Sequence, residues 1–273
     1  MVDYTTVKPL SGAAPYLGGK KNLAERIIER IELIDHRCYV EPFIGMGGVF
    51  FRRRLIPSCE VFNDYSGEVV NFFRVIQRHY RALLDELRFT LAGRSIFHSF
   101  LNAPTESLTD IQRAARFYYL QHCGFSGKVG STCFAVDRHG NSRFNIRHLR
   151  GHIEKLHERL SSVTIENLPY STIIERYDGP ETLFYLDPPY YGCENDYGKN
   201  LFERSDFDKL AEQLAKIVGK FVLSLNDKPE VRQIFAAFHM EEVSTNYGIG
   251  GNQKFEELLI SNFQLNHRQS ALF

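Results

Sequence analysis

Short apolar runs alternate along this chain with longer stretches in which apolar residues recur every three or four positions. In residues 20–34, Leu23, Ile27, Ile31 and Ile34 follow this spacing, which predicts a helix with one buried face. Consecutive apolar residues that end at a polar or acidic residue are typical of buried strands. Such runs predict strands at residues 38–41, 60–62, 163–166, 182–186, 221–225, 240–247 and 256–262.

Helices are predicted between most of these strands. We expect one helix from the Gly-rich loop near residue 45 through Arg54, one over residues 68–79 and one over residues 205–218. Ser205 and Asp208 have the spacing of a capping box, and Pro229 suits the first position of a further helix. The alternation predicts an α/β fold with a mostly parallel mixed sheet covered on both faces. A C-terminal antiparallel hairpin completes this sheet.

The alternation stops between residues 80 and 152, which we interpret as an inserted, mainly helical subdomain. The other domain then comprises residues 1–79 and 153–273. The segment from Arg113 to Arg150 contains seven basic residues and one acidic residue, Asp137, with aromatic residues interleaved. Charge alone leaves two interpretations open: a solvated helical insertion whose aromatic residues form a small core, or a surface that contacts phosphates.

The overall composition is that of an ordinary globular protein, with 43% hydrophobic and 24% charged residues. The 33 basic and 33 acidic residues cancel, so a nucleic-acid partner has to be recognised by a local patch. Five cysteines at irregular spacing, without a CxxC pair, favour a reduced intracellular protein over a disulfide framework or a zinc site. No apolar run is long enough to span a membrane, so we expect a cytoplasmic protein. Because the sequence shows no zinc-site pattern, we also expect no metal.

A Gly-rich loop follows the strand predicted at residues 38–41. Residues 40–48 read VEPFIGMGG, in which glycines let the backbone approach a ligand and the following residues offer free amide groups. Glu41 can face a cationic or hydroxylated group, and Asp64 after the next strand can accept hydrogen bonds from ribose hydroxyls. Because the third glycine of the dinucleotide fingerprint is missing, the loop indicates a nucleotide-like cofactor only in combination with other signals.

A second motif, DPPYY, begins at Asp187 at the carboxyl end of a predicted buried strand. Ligands bind at this end of the strands in open α/β sheets. Two consecutive prolines fix the backbone and remove two amide donors, so a carbonyl and a carboxylate form an acceptor-only surface beside an aromatic ring. Such a surface suits a planar group that carries an NH₂, such as a nucleobase. A Pro-rich loop with an exposed tyrosine is the alternative interpretation.

Together these motifs resemble the Dam-like DNA adenine N6-methyltransferases, which use S-adenosylmethionine. The similarity follows the family's order over most of the chain and continues into the last strands, at LSLND (223–227) and EELL (256–259). The other matching segments are PYLGGK (15–20), EPFIGMG (41–47), FND (62–64), FSG (125–127) with FN (144–145), and DPPY (187–190).

The resemblance implies a class I methyltransferase fold, which is Rossmann-like, with a target-recognition subdomain inserted between the second and third strands. It implies that Asp187 and the Pro188 carbonyl accept the amine hydrogens of an extruded adenine in double-stranded DNA, and that Tyr190 stacks on the base. Lys20 would face the methionine carboxylate of S-adenosylmethionine, and S-adenosyl-L-homocysteine would be the product. The full set of implied cofactor-binding residues is Tyr16, Lys20, Glu41, Phe43, Gly45, Gly47, Asp64, Asn167 and Asp187.

Within the insertion, five residues are candidates for DNA contacts: Lys128, Arg138, Arg143, Asn145 and Arg147. The chain departs from the family pattern at Tyr16, where GATC-methylating members commonly have Trp, and at Glu166-Asn167, where the family often has Asp. We therefore do not assume methylation at GATC. Methylation of cytosine N4 or RNA adenine, a non-catalytic nucleic-acid-binding protein and a nicotinamide oxidoreductase are the alternatives. A monomer suffices for the implied mechanism.

Overall fold

The computed structural model describes residues 2–16, 20, 23–124, 133–136, 142–194, 202–247 and 253–265. The strands within these residues are β1 (Thr5–Thr6), β2 (Cys38–Glu41), β3 (Leu55–Ile56), β4 (Cys59–Asn63), β5 (Thr164–Glu166), β6 (Thr182–Leu186), β7 (Lys220–Asn226), β8 (His239–Tyr247) and β9 (Gln253–Ser261). The helices are α1 (Ala24–Glu32), α2 (Gly67–Leu87), α3 (Arg94–Asn102), α4 (Asp110–Cys123), α5 (Ile146–Arg159), α6 (Tyr170–Tyr177), α7 (Asp206–Leu214) and α8 (Pro229–Ile234). Two short 3₁₀ helices lie at Phe50–Arg52 and Thr105–Ser107.

A seven-stranded mixed sheet in the order β5-β4-β2-β6-β7-β9-β8 organises the molecule. The strands from β5 to β7 are parallel, whereas β9 runs antiparallel to β7 and β8 runs antiparallel to β9. All seven predicted strands and the closing antiparallel hairpin are therefore confirmed. The parallel strands end at the same edge, which brings the ends of β2, β4 and β6 together there.

Both faces of the sheet are buried, as the near-continuous apolar strands predict. In β6, Leu183 and Tyr185 belong to the cluster formed with α1 and α2, while Phe184 and Leu186 belong to the cluster formed with α6 and α7. This alternation follows from the two-residue repeat of a strand. The apolar residues predicted to form the buried face of α1 are confirmed as buried.

Three local predictions outside the insertion are wrong. The helix expected through Arg54 is only the 3₁₀ turn Phe50–Arg52, because Arg53 adopts extended backbone and its buried guanidinium lies 2.8 Å from Glu60. No capping hydrogen bond comes from Ser205, whose own backbone is already helical; the Asp206 carboxylate instead accepts the Glu203 amide at 2.8 Å. Helix α7 also ends at Leu214 rather than at residue 218.

The inserted segment shares its core with the rest of the chain. Helix α2 does not end at residue 79 but kinks at His79 and continues to Leu87, and α5 extends through the predicted boundary at residue 152. The aromatic side chains Tyr118, Tyr119 and Phe144 are buried in the same cluster as the α1 and α2 residues. These rings therefore belong to the shared core, and not to a small core of the insertion alone as the first interpretation expects. The division into residues 1–79 with 153–273 and residues 80–152 stays a prediction.

Candidate active site

A cavity of about 1070 Å³ opens at the carboxyl ends of β2, β4 and β6. Cavities of this size accommodate cofactors and drug-sized ligands. It is bounded by the N-terminal segment, the loops that follow the strands, and the ends of α4 and α5. The lining residues lie at positions 11–16, 20, 41–46, 48, 49, 52, 63–66, 122, 149, 152, 169–171, 185, 187, 189, 202, 203, 206, 209 and 213.

The Gly-rich loop after β2 forms one wall of this cavity. Gly45 and Gly47 have positive φ angles of 48° and 68°, a backbone conformation that favours glycine. A Cβ at Gly45 would lie 2.8 Å from the Tyr16 ring, and a Cβ at Gly47 would overlap the Phe51 ring. Tyr16 thus packs against the loop, and its contact with a cofactor stays a prediction, while Gly47 lies behind the lining and shapes the turn.

Asp64 lies beside this loop at the end of β4. Its two carboxylate oxygens accept the backbone amides of Gly45 at 3.0 Å and Ser66 at 2.9 Å. Burial raises the pKa of Asp64 to about 6, against the opposing effect of these two hydrogen bonds. The carboxylate is therefore mostly ionised at neutral pH and is held at a fixed orientation in the cavity wall.

Three aromatic rings line the cavity next to the loop. The Phe43 ring centroid lies 5.5 Å from that of Tyr170 and 5.9 Å from that of Phe202. Phe43 is a predicted cofactor-binding residue, but Tyr170 and Phe202 were missed by the sequence analysis. Tyr170 follows the predicted strand β5 and could have been noticed for that reason, whereas Phe202 lies outside any regular element.

Asn167, like Gly47, is a predicted cofactor-binding residue that does not line the cavity. Its side chain is exposed, and its amide donates hydrogen bonds to the backbone carbonyls of Asp64 at 2.8 Å and Tyr65 at 3.3 Å. The side chain therefore positions the backbone around Asp64. Its contact with a cofactor stays a prediction.

Asp187, at the end of β6, is held by a buried network. Its Oδ1 atom lies 3.0 Å from Lys20 Nζ and accepts a hydrogen bond from the Ser224 hydroxyl at 3.0 Å. Ser224 in turn lies 3.0 Å from the hydroxyl of Tyr185. Burial raises the pKa of Asp187, an effect opposed by Lys20, reinforced by Glu257 and opposed again by Ser224. Of the two carboxylate oxygens, Oδ1 is thus fixed by protein groups, whereas none of the described residues donates a hydrogen bond to Oδ2.

Lys20 has a different environment from the one that the resemblance implies. Its side chain is 2% exposed, and its ammonium lies 3.0 Å from both Asp187 and Glu257. Burial opposes the charge, but the two carboxylates outweigh it and raise the pKa of Lys20 above its ordinary value of 10.5. Its charge is therefore balanced within the protein, and a contact with a cofactor carboxylate stays a prediction. Glu257, on β9, was not predicted as a site residue, although it lies in the matching segment EELL.

The remaining DPPY residues surround this network. Pro188 is buried, Pro189 lines the cavity, and Tyr190 is half-buried. The Lys20 ammonium donates a hydrogen bond to the Tyr190 hydroxyl and lies 4.4 Å from its ring centroid. Tyr190 is thus placed over the lysine that fixes Asp187, and its stacking on a base stays a prediction.

Glu41 is a buried carboxyl group at the end of β2. It accepts a hydrogen bond from the Tyr39 hydroxyl at 2.7 Å, and the Arg53 guanidinium lies 3.4 Å from the Tyr39 ring centroid. Burial raises the pKa of Glu41 to about 8, against the Tyr39 hydrogen bond and Arg53, while Asp187 adds to the increase. The group is therefore mostly protonated at neutral pH, and its contact with a cofactor stays a prediction.

The predicted DNA-binding residues have three different outcomes. Lys128 and Arg138 lie outside the described residues. Arg143 and Arg147 have exposed side chains on the insertion, compatible with phosphate contacts. Asn145 caps α5, because its side-chain oxygen accepts the Arg147 amide at 3.1 Å, so it has a structural role.

Two other basic residues of the same segment bind protein groups instead. Arg113 forms ion pairs with Glu68 and Asp110, and Arg116 donates hydrogen bonds to the carbonyls of Phe100 and Leu101. These two of the seven basic side chains in this segment therefore bind other groups of the protein.

Comparison with known proteins decides the family to which this site belongs. The sequence model of the D12 class N6 adenine-specific DNA methyltransferases matches residues 16–249, which is most of the chain. The chain belongs to this family. It transfers a methyl group to adenine in DNA. The predicted α/β fold, with a mostly parallel mixed sheet and a C-terminal antiparallel hairpin, is confirmed.

Curated relatives of this D12-class protein cover nearly its whole length. It is 25% identical over 277 residues to the Type II methyltransferase M1.LlaDCHI of Lactococcus lactis subsp. cremoris, covering 91% of this chain and 94% of the relative. It is also 25% identical over 270 residues to the DNA adenine methylase of Vibrio cholerae serotype O1, covering 89% and 93%. Among solved structures, a putative methyltransferase yhhF from Escherichia coli aligns with a TM-score of 0.41 at 9% identity, over 95% of this chain and 100% of that one.

None of the described helices has the length and apolar character needed to cross a membrane. In the same part of the chain, His, Cys, Asp and Glu side chains do not form a group of three that could hold a metal ion.

Proposed function

We propose that this D12-class protein transfers the methyl group of S-adenosylmethionine to the N6 amine of an adenine extruded from double-stranded DNA. The observation that carries the proposal is the arrangement at Asp187. One carboxylate oxygen is fixed by Lys20 and Ser224, and the other is left for the base at the edge of a cofactor-sized cavity. The reaction takes place in the cytoplasm, as the composition predicts.

The cavity residues fit S-adenosylmethionine. Residues 41–46 of the Gly-rich loop line the cavity, so a ligand can lie against the backbone of the loop. Asp64 can accept hydrogen bonds from ribose hydroxyls, and the rings of Phe43, Tyr170 and Phe202 provide an apolar site for the adenine ring. When bound, the cofactor supplies an electrophilic methyl group on a sulfonium centre that leaves as a neutral thioether.

Asp187 and Pro188 would prepare the amine for the transfer. The N6 amine is engaged in pairing within the duplex, so the adenine has to leave the stack before these groups can reach it. Asp187 Oδ2 and the Pro188 carbonyl then accept the two amine hydrogens, which directs the nitrogen lone pair toward the methyl group. A C–N bond forms as the C–S bond breaks, and one amine proton leaves to water. Catalysis by these residues consists of positioning and fixed electrostatics.

The experiment uses the purified full chain with S-adenosylmethionine labelled in its methyl group. Double-stranded DNA, single-stranded DNA and RNA are incubated separately, digested to nucleosides and separated by chromatography. We expect the label in N6-methyldeoxyadenosine from double-stranded DNA. Label in N4-methyldeoxycytidine, or in RNA alone, would overturn the proposal, and sequencing that detects methylated adenine in DNA from expressing cells then identifies the recognition site.

A further inference from the structure

Among the described residues that line the cavity, three side chains are permanent cations. The Lys20 ammonium lies 3.0 Å from both Asp187 and Glu257, and Lys209 lies 3.0 Å from Asp206. Arg52 differs from both lysines, because it forms no ion pair with any carboxylate of the described residues. Its guanidinium donates a hydrogen bond to the backbone carbonyl of Gly48. The cavity therefore contains one cation whose charge the described protein groups do not balance.

The surroundings of Arg52 favour an anion. Its side chain is half-buried, and this burial lowers the pKa of the guanidinium, with no carboxylate to offset the effect. An arginine stays protonated even so, which makes its partial desolvation unfavourable until an anion binds. A planar carboxylate fits the two parallel N–H groups of a guanidinium.

Arg52 faces the part of the cavity that is continuous with the Gly-rich loop. Gly48, which accepts the Arg52 hydrogen bond, is in contact with Gly12: a Cβ at Gly12 would lie 3.6 Å from the Gly48 Cα atom. The carbonyl of Gly12 lies 3.1 Å from His152 Nε2. Burial lowers the pKa of His152, and it lowers the pKa of His122, in the same wall, to about 4. Both histidines are neutral at pH 7, so they do not compete with Arg52 for an anion.

We infer that Arg52 binds the carboxylate of the amino-acid end of S-adenosylmethionine, a contact that the sequence resemblance gives to Lys20. This inference rests on the proposed cofactor. A DNA phosphodiester is the other anion that the protein would meet, but duplex phosphates stay at the molecular surface. Arg52 is half-buried and bonded to the loop that the cofactor approaches, which favours the carboxylate.

The test compares two ligands by calorimetry. S-adenosylhomocysteine carries the amino-acid end, whereas 5′-methylthioadenosine keeps the adenine, ribose and sulfur but lacks the carboxylate. We expect Arg52→Gln to weaken binding of S-adenosylhomocysteine by about 10- to 150-fold, as for the loss of a hydrogen bond to a charged group, and to change binding of 5′-methylthioadenosine less than about twofold. Arg52→Lys keeps the charge without the paired N–H groups and should give an intermediate loss.

Arg54→Gln is the matched control, because Arg54 is two residues away, exposed and paired with Glu25 at 3.5 Å. It should bind both ligands like the wild type. If Arg52→Gln loses the same factor of affinity for both ligands, the pocket is damaged in general and the inference is overturned. Unchanged S-adenosylhomocysteine binding with a shallower salt dependence of DNA binding would assign Arg52 to a phosphodiester instead. If the wild type binds neither ligand, the proposed cofactor itself is wrong.

Discussion

Replacing Asp187 with Asn tests the proposed acceptor role, because the structure determines how the new amide has to lie. Lys20 and Ser224 both donate to Oδ1 at 3.0 Å, so the amide oxygen of Asn has to occupy this position. The amide NH₂ then occupies the position of Oδ2 and faces the NH₂ of the adenine. The substitution thus replaces the acceptor Oδ2 with an NH₂ donor that faces the NH₂ donor of the adenine, with almost no change in side-chain volume.

Asp187→Asn should lose the contribution of one preorganised polar group to catalysis. This is about 2–4 kcal/mol of transition-state stabilisation, or roughly 30- to 1,000-fold in rate. Ser224→Ala keeps the charge of Asp187 and removes only one neutral donor. Its loss of transition-state stabilisation should therefore be about 1 kcal/mol, a rate reduction of about fivefold. Asp187→Asn also removes one carboxylate from Lys20, while Glu257 remains 3.0 Å away. We therefore expect the free energy of unfolding to fall by about 1.5–3 kcal/mol without loss of the fold.

The assay is single-turnover methyl transfer at saturating DNA and S-adenosylmethionine, with urea unfolding measured in parallel. Asp227→Asn is the control, because Asp227 follows the neighbouring strand β7 and pairs with Arg232 at 2.6 Å outside the cavity lining. It should keep the wild-type rate. A folded Asp187→Asn variant that transfers methyl groups at a near wild-type rate would remove Asp187 from the mechanism.

Three further predictions concern the insertion, the aromatic rings and the buried carboxyl group. Replacing Arg143 and Arg147 together by Ala should reduce the log–log salt slope of DNA binding by about two and leave cofactor affinity unchanged; an unaltered slope would contradict their phosphate contacts. Tyr170→Ala should weaken S-adenosylhomocysteine binding by about 5- to 150-fold in calorimetry, whereas Tyr177→Ala on the same helix, outside the cavity lining, should not; equal effects would count against stacking. Between about pH 4.5 and 8 the folded state keeps a proton on Glu41 that the unfolded state has released, so the free energy of unfolding should fall as pH rises through this window. In urea unfolding at pH 5 and 8, Glu41→Gln should lose less stability than the wild type, and an identical loss would show that Glu41 does not hold this proton.

The sequence alone determined the sheet and the positions of its principal motifs. Strands such as β6 are buried on both faces, so their sequences are continuous apolar runs that end at a polar residue, and both limits of β6 were predicted correctly. Loops at the carboxyl ends of such strands have to meet at one edge of a parallel sheet, which is why the Gly-rich loop, Asp64 and Asp187 could be expected to form one site. The family resemblance rested on the same short, ordered segments.

Only the tertiary structure decided which groups pair with each other. Lys20 was expected to face a ligand. In the folded protein its ammonium forms an ion pair with Glu257, which is more than two hundred residues away in the sequence and lies on the antiparallel strand β9 beside β7. Glu41 was expected to face a cationic or hydroxylated ligand group, and the sequence did not show that burial beside Tyr39 keeps it mostly protonated at neutral pH. Arg52 gave no signal at all, because a cation without a partner is recognised only when the positions of all its neighbours are known. Local patterns report burial and turns; the charge state of a side chain depends on contacts between residues far apart in the chain, and these exist only in the folded molecule.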